Sequence, residues 1–239
     1  MAGFKAHITT STVLGVGYGA TAYMGFGMPL DKCMLAAGLC SVSGMLPDLD
    51  SDSGVPVRET FAFGAAVIPM LMIDRFTHMG LSHESMVLAG ALIYIVVRFG
   101  IADLFRCYTV HRGMWHSLPA MLIAGLLAFL ICSCENMHER LFKMCAVMLG
   151  FFSHLVLDEL AAIDFSRGWP RLKKSFGTAL KFTSGSALAN FSTYAKLTFL
   201  IVLAVTDPIF METFGHQEVN VPHTATEWVQ DMLSGPMKR

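Results

Sequence analysis

The chain has 239 residues, 54% of them hydrophobic and only 15% charged, with a net charge of −1. A soluble domain needs about 25% charged residues to cover its surface, so this composition excludes a water-soluble globule and leaves lipid as the covering medium. The near-zero charge gives no electrostatic footprint for nucleic acid.

Apolar runs at about 8–27, 33–46, 60–73, 85–105, 117–134, 141–163 and 193–211 predict an all-α, polytopic membrane helical bundle of about seven hydrophobic helices. A straight span takes roughly 20 residues. The first, fourth, fifth, sixth and seventh runs meet that length as five full-length spans; the second and third are two short ones, packed within the bundle or re-entrant. One positive charge precedes the first run, as in a signal peptide. No small-residue cleavage site followed by polar sequence comes after it, so it reads as a retained helix.

Pro29 is expected to end the first helix and Leu46-Pro47-Asp48 the second, while Pro119 falls in the first turn of the fifth. Glycines 15, 17, 19, 25 and 27, with Ala36-Ala37-Gly38, suit close helix approach in lipid. The six cysteines lack CxxC spacing and read as small buried residues, not a disulfide framework. Residues 1–211 read as one integral-membrane helical domain and 212–239 as a polar C-terminal tail.

Alternating seven segments across the bilayer puts eleven Lys and Arg on the face holding the N-terminus and the loops around 47–59, 106–116 and 159–192, against six on the other. The positive-inside rule makes the first face cytoplasmic.

Four clusters of metal-ligand residue types fall on that face: His7, Asp48-Leu49-Asp50, His111-Arg112-Gly113-Met114-Trp115-His116-Ser117, and Ser153-His154-Leu155-Val156-Leu157-Asp158. His154 and Asp158 are one helical turn apart, so an imidazole and a carboxylate point the same way and can share one divalent ion. A His–Asp hydrogen bond at a helix end is the alternative. Asp48 and Asp50 follow a tight Leu-Pro turn, as ligands to a metal or as an acidic interfacial loop. With Asp52 and Glu59 they also mimic a calcium loop, but the glycine comes one place late. His111 and His116 bracket the entry to the fifth helix, where Ser117 can cap and Arg112 can neutralise an anion. His78-Met79-Gly80-Leu81-Ser82-His83 repeats the H-x-G-x-x-H pattern on the opposite face.

These motifs, taken together over residues from about 4 to about 185, resemble the YdjM-like family of membrane-bound metal-dependent hydrolases. That family is itself distantly similar to the zinc-dependent phospholipase C and single-strand nuclease group. The resemblance implies ligand roles for His7, Asp48, Asp50, His111, His116, His154 and Asp158, and a bacterial inner-membrane location. A single HxxxD pair implies one or two ions; a mixed His/Asp set suits zinc, with manganese or iron as alternatives.

The expected function is hydrolysis of a phosphoester, of a phospholipid or lipid-linked substrate, at the cytoplasmic surface of the lipid bilayer. Asp50 is then the candidate general base and Arg112 the anion holder, with Lys173 and Lys174 as further candidates. Two rivals remain: a non-catalytic scaffold with a structural metal site, and a transporter, whose ionisable residues would sit in mid-helix.

Overall fold

The computed structural model describes residues 3–50, 55–101, 113–132, 134, 136–164, 171–172 and 177–215. Among them the chain is all-helical apart from a two-residue antiparallel pair, β1 (Ile163–Asp164) with β2 (Arg171–Leu172). In order come α1 (Phe4–Phe26), α2 (Leu30–Ser43), a 3₁₀ turn (Leu46–Asp50), α3 (Val55–Leu71), α4 (Ile73–His78) and α5 (His83–Ile95). Then follow a π-helical segment (Val96–Ile101), α6 (Leu118–Ile131), α7 (Met137–Ala161), α8 (Ala187–Val205) and α9 (Pro208–Gly215), which carries helix into the segment read as polar tail.

Four helical stretches are long and apolar enough to cross a membrane: Thr60–His78, His83–Ile101, Met137–Ala161 and Ala187–Val205. The set differs from the sequence expectation in three places. The third run is a full-length stretch, because the helix carries Asp74 and Arg75 at its end beyond a break at Met72, three residues after the helix-breaking Pro69. The fifth is only 14 residues, since Ser117 caps its start and Cys132 leaves helical geometry at ψ 74°. α1 has the length, 23 residues, but its glycines, threonines and serine leave it less apolar than the other four. It ends at Gly27, whose φ of 63° suits glycine, and Pro29 instead opens α2.

α7 is the axis of the bundle, packed on α1, α2 and α6. Each neighbour turns a stripe of small residues inward. On α1 the stripe is His7, Ser11, Gly15, Gly19 and Ala22; on α2 it is Cys33, Ala36, Cys40 and Ser43. A Cβ at Gly15 would meet Ala37 O at 2.5 Å, one at Gly19 would meet Cys33 O at 2.8 Å, and one at Gly150 would meet Cys40 O at 2.0 Å. Backbones touch there, as expected where lipid supplies no hydrophobic drive between helices. Gly17, Gly25 and Gly38 have no such neighbour.

α5 packs mainly on α3 and buries none of its residues; Leu88 and Leu92 point outward as lipid-facing positions do. Cys33, Cys40, Cys132, Cys134 and Cys145 are free thiols.

At the start of α7 a buried ion network ties three elements. Arg140 donates to Asp207 Oδ1 at 2.8 Å and to Cys134 O at 2.6 Å, and Arg75 donates to Asp207 Oδ2 at 3.1 Å. A buried carboxylate between two guanidinium groups is neutralised and hydrogen-bonded at once.

Candidate metal centre

The opposite end of α7 gathers the metal-ligand side chains. His154 and Asp158 lie on its last two turns, both buried. α1 delivers His7 from its first turn, at the head of its buried stripe. α2 ends nearby, and the 3₁₀ turn built on buried Pro47 presents Asp48. His116 precedes the Ser117 cap, whose hydroxyl accepts from Ala120 N at 3.3 Å. Trp115 Nε1 donates to Leu46 O at 2.7 Å and so fastens this entry segment to the 3₁₀ turn, beside Asp48.

The five side chains converge. His7 Nε2 is 3.4 Å from Asp158 Oδ1; His154 Nε2 is 3.5 Å from Asp48 Oδ1 and 3.9 Å from Asp158 Oδ2. His116 Nε2 is 3.8 Å from Asp48 Oδ1. The rings of His7 and His154 stack at 3.6 Å, 13° from parallel. Two groups can each hold a metal ion, His7/His154/Asp158 and Asp48/His116/His154, and within each the ligand atoms lie within 4.8 Å of one another.

The hydrogen bonding of His154 tests the fit. Its Nδ1 lies 2.7 Å from Gly44 O. A carbonyl only accepts, so Nδ1 carries the proton and neutral His154 has a lone pair at Nε2. That lone pair has no hydrogen-bond partner and faces two carboxylates. Acceptor against acceptors in a buried place is repulsive, and a divalent cation between them removes the repulsion. A ligating histidine held from behind by a backbone carbonyl is also the usual second-layer arrangement at metal sites. The residues present therefore suit a cation. Burial raises the Asp48 carboxyl, but the surrounding His116, His154 and His7 more than offset this and hold it below its ordinary value.

Of the residues singled out from sequence, His7, Asp48, His116, His154 and Asp158 come together. Asp50 closes the 3₁₀ turn, with its side chain outside the described set. His111, Arg112, Lys173 and Lys174 lie outside the described residues. His78 lines a cavity with Arg140 and Asp207, at the other end of α7, where Arg140 precedes His154 by about 21 Å of helix at 1.5 Å per residue. The repeated H-x-G-x-x-H pattern is thus not part of the cluster.

Two contributors carried no usable sequence signal. Gly44 acts through its backbone carbonyl. Glu159 accepts from Gly177 N and from Ala179 N, the latter at 3.3 Å, tying the segment after the β pair over this end of the bundle. There Ala179 joins the core of Ala120, Phe151 and Leu155.

Fold and site together define a class: polytopic helical membrane proteins with an interhelical His/Asp group able to hold a metal ion. Within it, the chain belongs to the YdjM inner membrane protein family, whose model matches residues 1–217. No curated protein and no solved structure matches significantly.

Proposed function

We propose that the protein is a membrane-bound metal-dependent hydrolase acting on a phosphoester, carried by a phospholipid or lipid-linked molecule, at the cytoplasmic surface of the inner membrane. The observation that carries the reading is the unpartnered Nε2 of His154, aimed at Asp48 and Asp158. Because Nδ1 is held by Gly44, only one nitrogen of His154 is left for an ion, and the two ligand groups meet at it. One ion at this point is therefore the simplest loading, with zinc the best match to mixed imidazole and carboxylate ligands. When bound, it supplies Lewis acidity and lowers the pKa of a water toward about 7.

The remaining roles belong to the chain. The Asp48 side chain is the most exposed of the five, 26% against 0–7% for the rest, and marks the side from which substrate reaches the cluster. Asp50, two residues on, is the carboxylate assigned to take the proton of the attacking water, and His111 completes the ligand set. Arg112 is assigned to hold the anionic phosphoryl group. The excess of Lys and Arg on the faces flanking these loops supports the cytoplasmic orientation. Residues 1–211 act as one domain in this reading.

The near-complete burial of His7, His116 and His154 favours a second reading, in which a metal only staples the helix ends. Metal content by plasma mass spectrometry on chelator-free, detergent-purified protein tests both. Wild type is expected to hold stoichiometric zinc, with His154→Ala and Asp158→Asn depleted and His78→Ala unchanged. A metal-free wild type removes both readings. Bound metal with no turnover across a panel of phosphomonoesters, phosphodiesters and phospholipids leaves the staple.

A further inference from the structure

A groove of about 320 Å³ runs between the α3–π face and the bundle of α2, α6 and α7. No charged residue lines it among those described. Its near end is formed by Leu49, which follows Asp48, and by Trp115, which precedes His116; its far end is Ile131 and Cys132. It thus starts beside the His/Asp cluster and runs along α6 from Ala124 to Ile131. The π-helical segment helps shape the wall through Val97, where a widened helical turn faces the gap.

The lining selects the occupant: the walls belong to helices of a membrane bundle, and the side chains facing the gap are almost wholly apolar. A water-soluble ligand would need orienting polar groups along the wall, and these are almost lacking. The hydrocarbon chain of a lipid, which the surrounding bilayer supplies, fits that chemistry.

We infer that the groove holds an acyl chain of a membrane lipid whose headgroup lies at the His/Asp cluster. This rests on the proposed hydrolase reading for what the headgroup meets, and it makes the substrate an acyl lipid drawn from the leaflet, with its chain kept between α3 and α6. Gly64 of α3 lines the groove, and a Cβ there would approach only Ile68 Cδ1, at 4.0 Å. A large side chain at 64 therefore enters the groove instead of the core.

The test uses the full chain reconstituted in phosphatidylethanolamine vesicles doped with phosphatidylglycerol bearing a diazirine at the end of a long saturated acyl chain. Irradiation and peptide mass spectrometry are expected to place adducts around Gly64, Val97 and Ala128 above those on the outward Leu88 and Leu92. Gly64→Phe should lower groove adducts about tenfold, what the loss of roughly two buried methylenes costs, with α5 adducts and zinc content unchanged. Gly64→Ala should label as wild type. Gly64→Leu replaces the phenylalanine variant if that one is not monodisperse. Groove labelling no higher than on α5, or undiminished in the filled variant, overturns the inference even when zinc is bound. Groove labelling lost on filling in a protein without metal keeps the groove and removes the hydrolase reading.

Discussion

Replacing Gly150 by alanine probes the contact that sets the site. The added Cβ would lie 2.0 Å from Cys40 O and 2.1 Å from Ser43 Oγ. Reaching the 3.4 Å of ordinary contact forces α2 and α7 about 1.4 Å apart. The obstacle is largely backbone, so no rotamer change relieves it. Alanine gains up to about 1 kcal/mol of helix propensity over glycine, while overpacking costs about 1–3 kcal/mol, so stability should fall by about 1–2 kcal/mol. The larger effect is on geometry. Gly44 lies just beyond α2, and its carbonyl fixes the His154 ring at 2.7 Å. Moving it by more than 1 Å releases the ring and separates Asp48 from His154. Metal content of Gly150→Ala should drop well below that of wild type, with a lowered thermal midpoint in detergent. Gly38→Ala is the internal comparison, an exposed glycine of the same α2 with nothing within 4 Å, and it should be neutral or stabilising. A Gly150→Ala protein with wild-type zinc and thermal midpoint would refute the claim that this contact positions the cluster.

Metal occupancy should fall on acidification, because protons compete with the ion for the same ligand lone pairs. Asp48 contributes nothing to that loss near neutral pH. Its carboxyl is depressed, so its stabilisation persists above its ordinary 3.8 and disappears only as pH falls through the lower folded value. Thermal midpoints of chelator-treated protein should therefore show no Asp48-linked change between pH 7.5 and 5.5, whereas zinc-loaded midpoints decline. Asp207→Ala leaves two guanidinium groups without their carboxylate and should cost about 3–5 kcal/mol, read as a lowered midpoint with zinc retained in the folded fraction. Glu159→Ala removes the acceptor for Gly177 N and Ala179 N, bonds to a charged group worth about 1.5–3 kcal/mol each, and should speed tryptic cleavage at Lys181.

The helical, lipid-embedded architecture was legible because hydropathy reports it directly, and so was the meeting of helix ends. An i, i+4 spacing fixes His154 and Asp158 on one face, and alternation across a bilayer brings the start of α1, the turn after α2 and the start of α6 to the end of α7. Span lengths were less legible. Hydropathy broke the third run at Asp74 although the helix carries that residue to His78, and it extended α6 past Cys132, where the backbone turns. Pairings such as Arg75 and Arg140 with Asp207 join residues 132 and 67 positions apart, which no local pattern announces. The two H-x-G-x-x-H segments show the limit most directly. Their residue pattern is the same, yet only His116 stands beside the His/Asp cluster, because location depends on which helix end each segment joins.

The Arg75–Asp207–Arg140 network also imposes an order of assembly. Chains emerge N-terminus first at about 5–20 residues per second, so Arg140 precedes its carboxylate by roughly 3–13 s. Before that interval ends, every residue of the His/Asp cluster, from His7 to Asp158, has been synthesised, while the two guanidinium groups near the start of α7 still lack Asp207. The bundle can close at one membrane face before it can close at the other. A chain that stops short of Asp207 therefore has every residue of the cluster and two guanidinium groups without their carboxylate.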